Sequence, residues 1–161
     1  MTGTTTPSER PLRPLIWPAS ALLMVGAVYG LVGAFDALST SNLDDSMTVL
    51  LIAYAAVLFV LTGSGAYLAL RGTPLGARLL ILALIPQLIW LETPRLIYHA
   101  TVGPYLFATV IGATHAPLFG VGGIVTLRYG APQEAAGLAV NLFAAALLVL
   151  FLVVRRDLRA V

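Results

Sequence analysis

The sequence predicts an all-α integral membrane protein, a compact bundle of four to five transmembrane helices, and three observations carry that expectation. Hydrophobic residues make up 59% of the chain and charged residues 10%, whereas soluble domains run about 45–50% and about 25%. Mean hydropathy is +0.94, so too few polar groups are present to clothe a water-facing surface, a requirement that hydrocarbon removes. The apolar residues also gather in five runs, at 15–35, 47–70, 76–99, 104–127 and 135–154. Each run reaches the roughly 20 residues a helix needs to cross a bilayer. The 161 residues leave room for one membrane domain, at 15–154, and none for a separate soluble one.

Residues 1–14 are rich in Thr, Pro and Ser and read as a flexible tail carrying Arg10 and Arg13. The first run, 15–35, exceeds the about 7–15 apolar residues of a secretory signal and reads as a signal anchor. A solvated loop with Asp36, Asp44 and Asp45 separates it from the second run, 47–70. That run stops at a short turn holding Arg71 and Arg78. The third run is crossed by Pro86, Gln87, Glu92, Thr93, Pro94 and Arg95. The fourth is diluted by His115, Pro117 and several glycines, and the fifth closes on a basic tail, 155–161, with Arg155, Arg156 and Arg159.

Two rules disagree on the number of crossings. Length and hydropathy favour five. With the N-terminus inside, five crossings put Arg155, Arg156 and Arg159 outside, against the positive-inside rule. Four crossings satisfy that rule and leave 96–127 as a re-entrant or surface-lying piece, tolerable only where protein covers its backbone. Five is the preferred count, and the location expected is the inner (plasma) membrane, multi-pass.

All nine basic residues are arginine and there is no cysteine. The first fact, with the abundance of Ala, Gly and Pro, fits a high-GC bacterial genome. The second excludes disulfides, thiolate metal sites and cysteine nucleophiles. The arginines sit at segment ends and form no stripe that could follow a phosphate backbone, so nucleic acid is not an expected partner.

Glu92, Arg95 and His99 form the first candidate site. Spacings of three and four place them on one face of a helix, and ionisable groups inside a membrane are a functional hypothesis by default. They are the candidate catalytic residues, set against a structural ion pair with an interfacial anchor. Gln87 and His115 are candidate substrate-binding residues. In a helical hairpin joined near Thr101 they would lie at one depth, and the bland alternative is a hydrogen bond between helices. Gly26, Gly30 and Gly33 on one helix, and Gly112, Ala116, Gly120 and Gly123 on another, are helix-packing candidates, because small residues four apart let backbones approach closely.

No metal or cofactor is expected. His99 and His115 fall at different depths in that hairpin and cannot easily grip one iron or zinc. Ser64 lacks the strand–turn–helix setting of a nucleophile, and Gly122–Gly123 lacks the following Lys and Ser/Thr of a phosphate loop. The Trp-rich pattern of tryptophan-rich sensory proteins is missing, with Trp17 and Trp90 alone. So is the first-helix Glu of small multidrug exporters. The expected function is a non-catalytic accessory subunit of a larger membrane assembly, partnered by the lipid bilayer and by other membrane subunits or itself. The alternatives are a small oligomeric transporter or channel, and a membrane-embedded enzyme acting on a lipid or isoprenoid-like substrate.

Overall fold

A computed structural model of the chain describes residues 13–40, 45–112, 119–129 and 136–158. In chain order these form α1 (Arg13–Thr40), α2 (Ser46–Leu70), α3 (Pro74–Leu84), a 3₁₀ turn (Ile85–Gln87), β1 (Ile89–Glu92), β2 (Leu96–Gly112), β3 (Phe119–Tyr129), β4 (Gly137–Asn141) and α4 (Leu142–Leu158). The architecture is therefore mixed, with helices packed on a four-stranded antiparallel sheet. This corrects the all-α expectation.

α1 and α2 form where the first two apolar runs were expected. Asp45 caps α2, its carboxylate accepting from the backbone N–H groups of Met47 and Thr48 and from the Thr48 hydroxyl. The Thr48 hydroxyl and the Met47 N–H hold that carboxyl below the usual carboxylate range. At the other end Gly72 takes a positive φ of 72°, and Thr73 caps α3 through its hydroxyl, which accepts from the Gly76 N–H. Both long helices bury one narrow stripe of mostly small residues. On α1 it runs Ile16, Ala19, Ser20, Leu23, Gly26, Ala27 and Gly30, and on α2 Ala55, Leu58, Phe59, Thr62, Gly65, Ala66 and Ala69.

The third, fourth and fifth runs depart from helix, for a local reason in each case. Pro86 has no N–H to give the helix ladder, and α3 ends at Leu84, before it. Beyond the Thr93–Arg95 turn come Ile97, Tyr98, Thr101, Val102, Tyr105, Phe107, Thr109, Val110 and Ile111. These are the β-branched and aromatic types that favour a pleated surface. Gly103, with φ of 89°, and Pro104 stand in the middle of that stretch, where a helix would break. β3 likewise mixes Val121, Ile124, Val125 and Thr126 with Gly120, Gly122 and Gly123, which weaken a helix. The stretch 96–127, which the four-crossing arrangement removed from the crossings, is thus most of the β2–β3 hairpin. In the fifth run, residues 137–141 are β4. Asn141 then starts α4, its side-chain oxygen accepting from the N–H groups of Phe143 and Ala144 at 3.2 Å each.

β2 is the organising strand. β3 lies along one edge of it from Leu96↔Tyr129 to Leu106↔Phe119. β1 pairs with its first residues, through Trp90↔His99, and β4 pairs with its last, from Phe107↔Asn141 to Gly112↔Gly137. β1 and β4 also pair with each other. The three pairings close on themselves, so β1, β4 and the bent β2 make a small ring. Its inner face carries Trp90, Glu92, His99, Phe107, Ala139 and Asn141, all buried.

The other face of the sheet lies on α1 and α2, where Ala100 and Val102 meet Ala27, Ala55, Leu58 and Phe59. Contact there is backbone to backbone. A Cβ on Gly26 would fall on the backbone of Gly103, and one on Gly123 would meet the Gly26 carbonyl and Gly30 Cα at 2.6 Å. A second core joins α1, α2, α3 and α4 around Leu23, Leu80, Leu84, Leu147 and Phe151.

Candidate functional site

Three polar side chains tie the helices to the ring. Gln87 is 1% exposed. Its amide nitrogen donates to the Ala83 carbonyl, and its oxygen accepts the Val102 N–H, both at 2.8 Å. A buried carboxamide thus ties the end of α3 to the middle of β2. Asn141 does the same at the other end of the ring. Besides capping α4 it accepts the Leu106 N–H at 3.2 Å. Tyr98 adds a third tie, donating to the Pro86 carbonyl at 2.8 Å and lying 3.1 Å from the Tyr54 hydroxyl of α2.

Inside the ring Trp90 is the hub. Its indole stacks on the His99 ring with centroids 3.9 Å apart and planes 7° from parallel. It meets Phe107 edge-on at 5.3 Å, and its Nε1–H donates to the Glu92 carboxylate at 2.9 Å. Trp90 and Glu92 share a face because they are two apart on one strand. His99 joins them because it is the cross-strand partner of Trp90. Among the described residues, His99 Nδ1 and the hydroxyl of Thr101 are buried with no hydrogen-bond partner, as is the hydroxyl of Ser20 on α1. The stack on the indole packs the imidazole in place.

The candidate residues are therefore only partly assembled. Glu92 and His99 come together on the inner face of the ring, by strand parity rather than by helical spacing. Arg95 sits in the exposed turn between β1 and β2, so the expectation of one helical face for all three is corrected. Gln87 is bound into the fold as described, while His115 and Ala116 lie outside the described residues. Gly26, Gly30 and Gly33 are on α1, but Gly112 and Gly120 stand in strands rather than on a packing helix. Gly112 adopts a positive φ of 66°, and Gly120 makes room for the Tyr105 ring.

A cleft opens between α1, α2 and β3. It holds about 240 Å³ and is lined by Gly30, Gly33, Leu51, Ala55, Phe59 and Ile124 among others. Its size is below the about 300–1,000 Å³ of sites for drug-sized ligands. The named lining side chains are apolar, and none of the candidate polar residues borders it. Among the described residues no group of three or more His, Asp or Glu is placed to hold a metal ion.

Compared with protein-family models, with curated proteins and with solved structures, the chain matches none. Its function is therefore read from its own geometry. Trp90 and Asn141 are the residues that reading the sequence missed. The signals were present: Trp90 alternates with Glu92, and Asn141 directly precedes the longest apolar stretch of the fifth run, the position of a helix cap.

Proposed function

We propose that the chain is a membrane-embedded, non-catalytic accessory subunit whose α1–α2 hairpin crosses the bilayer. The supporting observation is the surface of these helices. Both are long and apolar enough to cross, with only 39% and 33% of their apolar windows buried. Trp17, Val28, Tyr29, Val32, Phe35, Leu50 and Val57 are all exposed. A helix apolar all round is either buried in a large core or faces lipid, and here most of the circumference is open. The ends carry matching charge. Arg13, Arg71 and Arg78 gather at one end of the hairpin, and Asp36 and Asp45 at the other. The arginine end would be cytoplasmic.

The accessory reading draws its support from how the polar core is used. Gln87 and Asn141 spend their side chains on backbone groups, and the Glu92 carboxylate receives the indole N–H. Such contacts hold a fold, whereas an acid–base site needs its groups aimed at a substrate.

Two measurements test the two halves of the proposal. A reporter inserted between Thr40 and Asp45 should face the outside, and one after Val161 the cytoplasm. A cytoplasmic position for the inserted reporter would sink the hairpin. Glu92→Gln keeps an oxygen for the indole and removes the acid, so it should fold and complement a deletion strain. A folded Glu92→Gln protein that fails to complement would favour the enzyme or transporter reading instead.

A further inference from the structure

Among the described residues β3 is bonded to β2 on one edge and to no strand on the other. Every second residue of such an edge turns its N–H and C=O outward. Sheets that meet water blunt such edges with lysine, proline or a short strand. β3 does none of this. It runs for 11 residues without proline, and its one charge, Arg128, stands next to its last residue. Phe119, Val121, Ile124 and Leu127 along it are exposed.

The position of the edge sharpens the problem. β3 packs on α1 through Gly123 against Gly26 and Gly30, midway along the helix proposed above to cross the bilayer. At that depth no water can satisfy the open backbone groups, and a sheet edge facing hydrocarbon is not tolerated. A further strand is the partner that satisfies a row of alternating donors and acceptors.

We infer that β3 is the dimer interface of this protein, pairing antiparallel with β3 of a second copy about a twofold axis at Ile124. The inference rests on the membrane reading of α1. The register follows from the side chains. Centred on Ile124, the twofold sets Val121 opposite Leu127 and Gly120 opposite Arg128. Each Arg128 then has a glycine across from it, and the two guanidinium-bearing residues stand about 27 Å apart along the strands. A parallel pairing in register would instead set the two arginines side by side, where like charges directly opposite destabilise a sheet. Closed twofold contacts of one patch with itself are also the commonest form of assembly. The result is one continuous sheet across two copies.

The cysteine-free chain makes the test clean, because any introduced thiol reports only itself. Directly opposed residues have Cα atoms about 4.5–5.5 Å apart, within the range a disulfide spans. Under mild oxidation in native membranes, Ile124→Cys should cross-link to itself. Val121→Cys and Leu127→Cys should form a mixed disulfide when co-expressed, and each alone should stay near the level of Val28→Cys, on the exposed side of α1. Retention of each variant in carbonate-washed membranes reports the membrane reading separately. Ile124→Cys that stays in the membrane but cross-links no more than Val28→Cys, or only to other proteins, overturns the dimer and leaves the membrane reading standing. Loss of the chain to the carbonate wash overturns the membrane reading itself. Strong self-cross-linking of Val121→Cys together with a silent Ile124→Cys overturns the register.

Discussion

Gly26→Ala is expected to leave little folded protein, although it adds a single methyl group. The Cβ would fall on the backbone nitrogen and Cα of Gly103, with the Val102 carbonyl carbon at 2.9 Å. No side chain can swing aside to make room, so α1 or β2 must move as a whole. Ordinary overpacking costs about 1–3 kcal/mol, and a clash with backbone belongs at or above the top of that range. The same substitution along one helix supplies its own controls. At Gly30 the new methyl meets the ring of Phe59, a side chain that Phe59→Leu would shrink, so that pair of changes should recover part of the loss. At Gly33 nothing lies within 4 Å. There the better helix propensity of Ala, about 1 kcal/mol over Gly, should show as a neutral or slightly stabilising change. Thermal melting of the three variants in detergent checks the order. Equal stability of Gly26→Ala and Gly33→Ala would mean that α1 and β2 do not touch at this point.

Trp90→Ala should cost about 3–5 kcal/mol, the usual range for truncating a buried aromatic side chain. The indole is 9% exposed and serves three neighbours at once: the His99 ring, the Phe107 edge and the Glu92 carboxylate. Its loss leaves a cavity in the centre of the ring and strips a buried carboxylate of a donor, a penalty of its own. Trp90→Phe separates these contributions, because it keeps an aromatic face for His99 and Phe107 while losing the N–H. The expected order of melting temperatures is wild type, then Trp90→Phe, then Trp90→Ala. A Trp90→Phe protein as unstable as Trp90→Ala would place the stabilisation in the hydrogen bond rather than in the packing.

The two long helices were legible because length and hydropathy suffice for them, and Asp45 marks where the second begins. The sheet was not, because a hydropathy window sums apolar character without its period. The residues 96–112 and 119–129 are as apolar as a crossing helix. Their strand character lies in which apolar residues they are: Ile, Val, Thr, Tyr and Phe around Gly103–Pro104, rather than Leu and Ala. The candidate site suffered from the same error at one remove. Glu92, Arg95 and His99 were grouped on one helical face, with Glu92 and Arg95 as the pair, whereas strand parity brings Glu92 and His99 together and leaves Arg95 out. In a hairpin the turn decides which residues meet. The turn at Thr93–Arg95 sets His99 across from Trp90 and puts Arg95 in its exposed bend. Gln87 was read as facing a histidine on another helix. That histidine lies outside the described residues, and the Gln87 carboxamide bonds the backbone of Ala83 and Val102.

The ring of β1, β2 and β4 also sets an order for assembly during synthesis. β1 ends at Glu92, and its second partner begins only at Gly137, so the ring stays open until residues 137–141 have left the ribosome. Until then the second half of β2 lacks its β4 partner, and Trp90 and Phe107 lack Ala139, with which they form one buried cluster. Pairings so far apart in sequence carry a loop-closure cost before they are rewarded. The α1–α2 hairpin, built from neighbouring segments, has no such wait. The chain therefore forms its helical hairpin first and completes its sheet afterwards, against helices already in place. In the interval its unpaired strands are the part most exposed to misassembly.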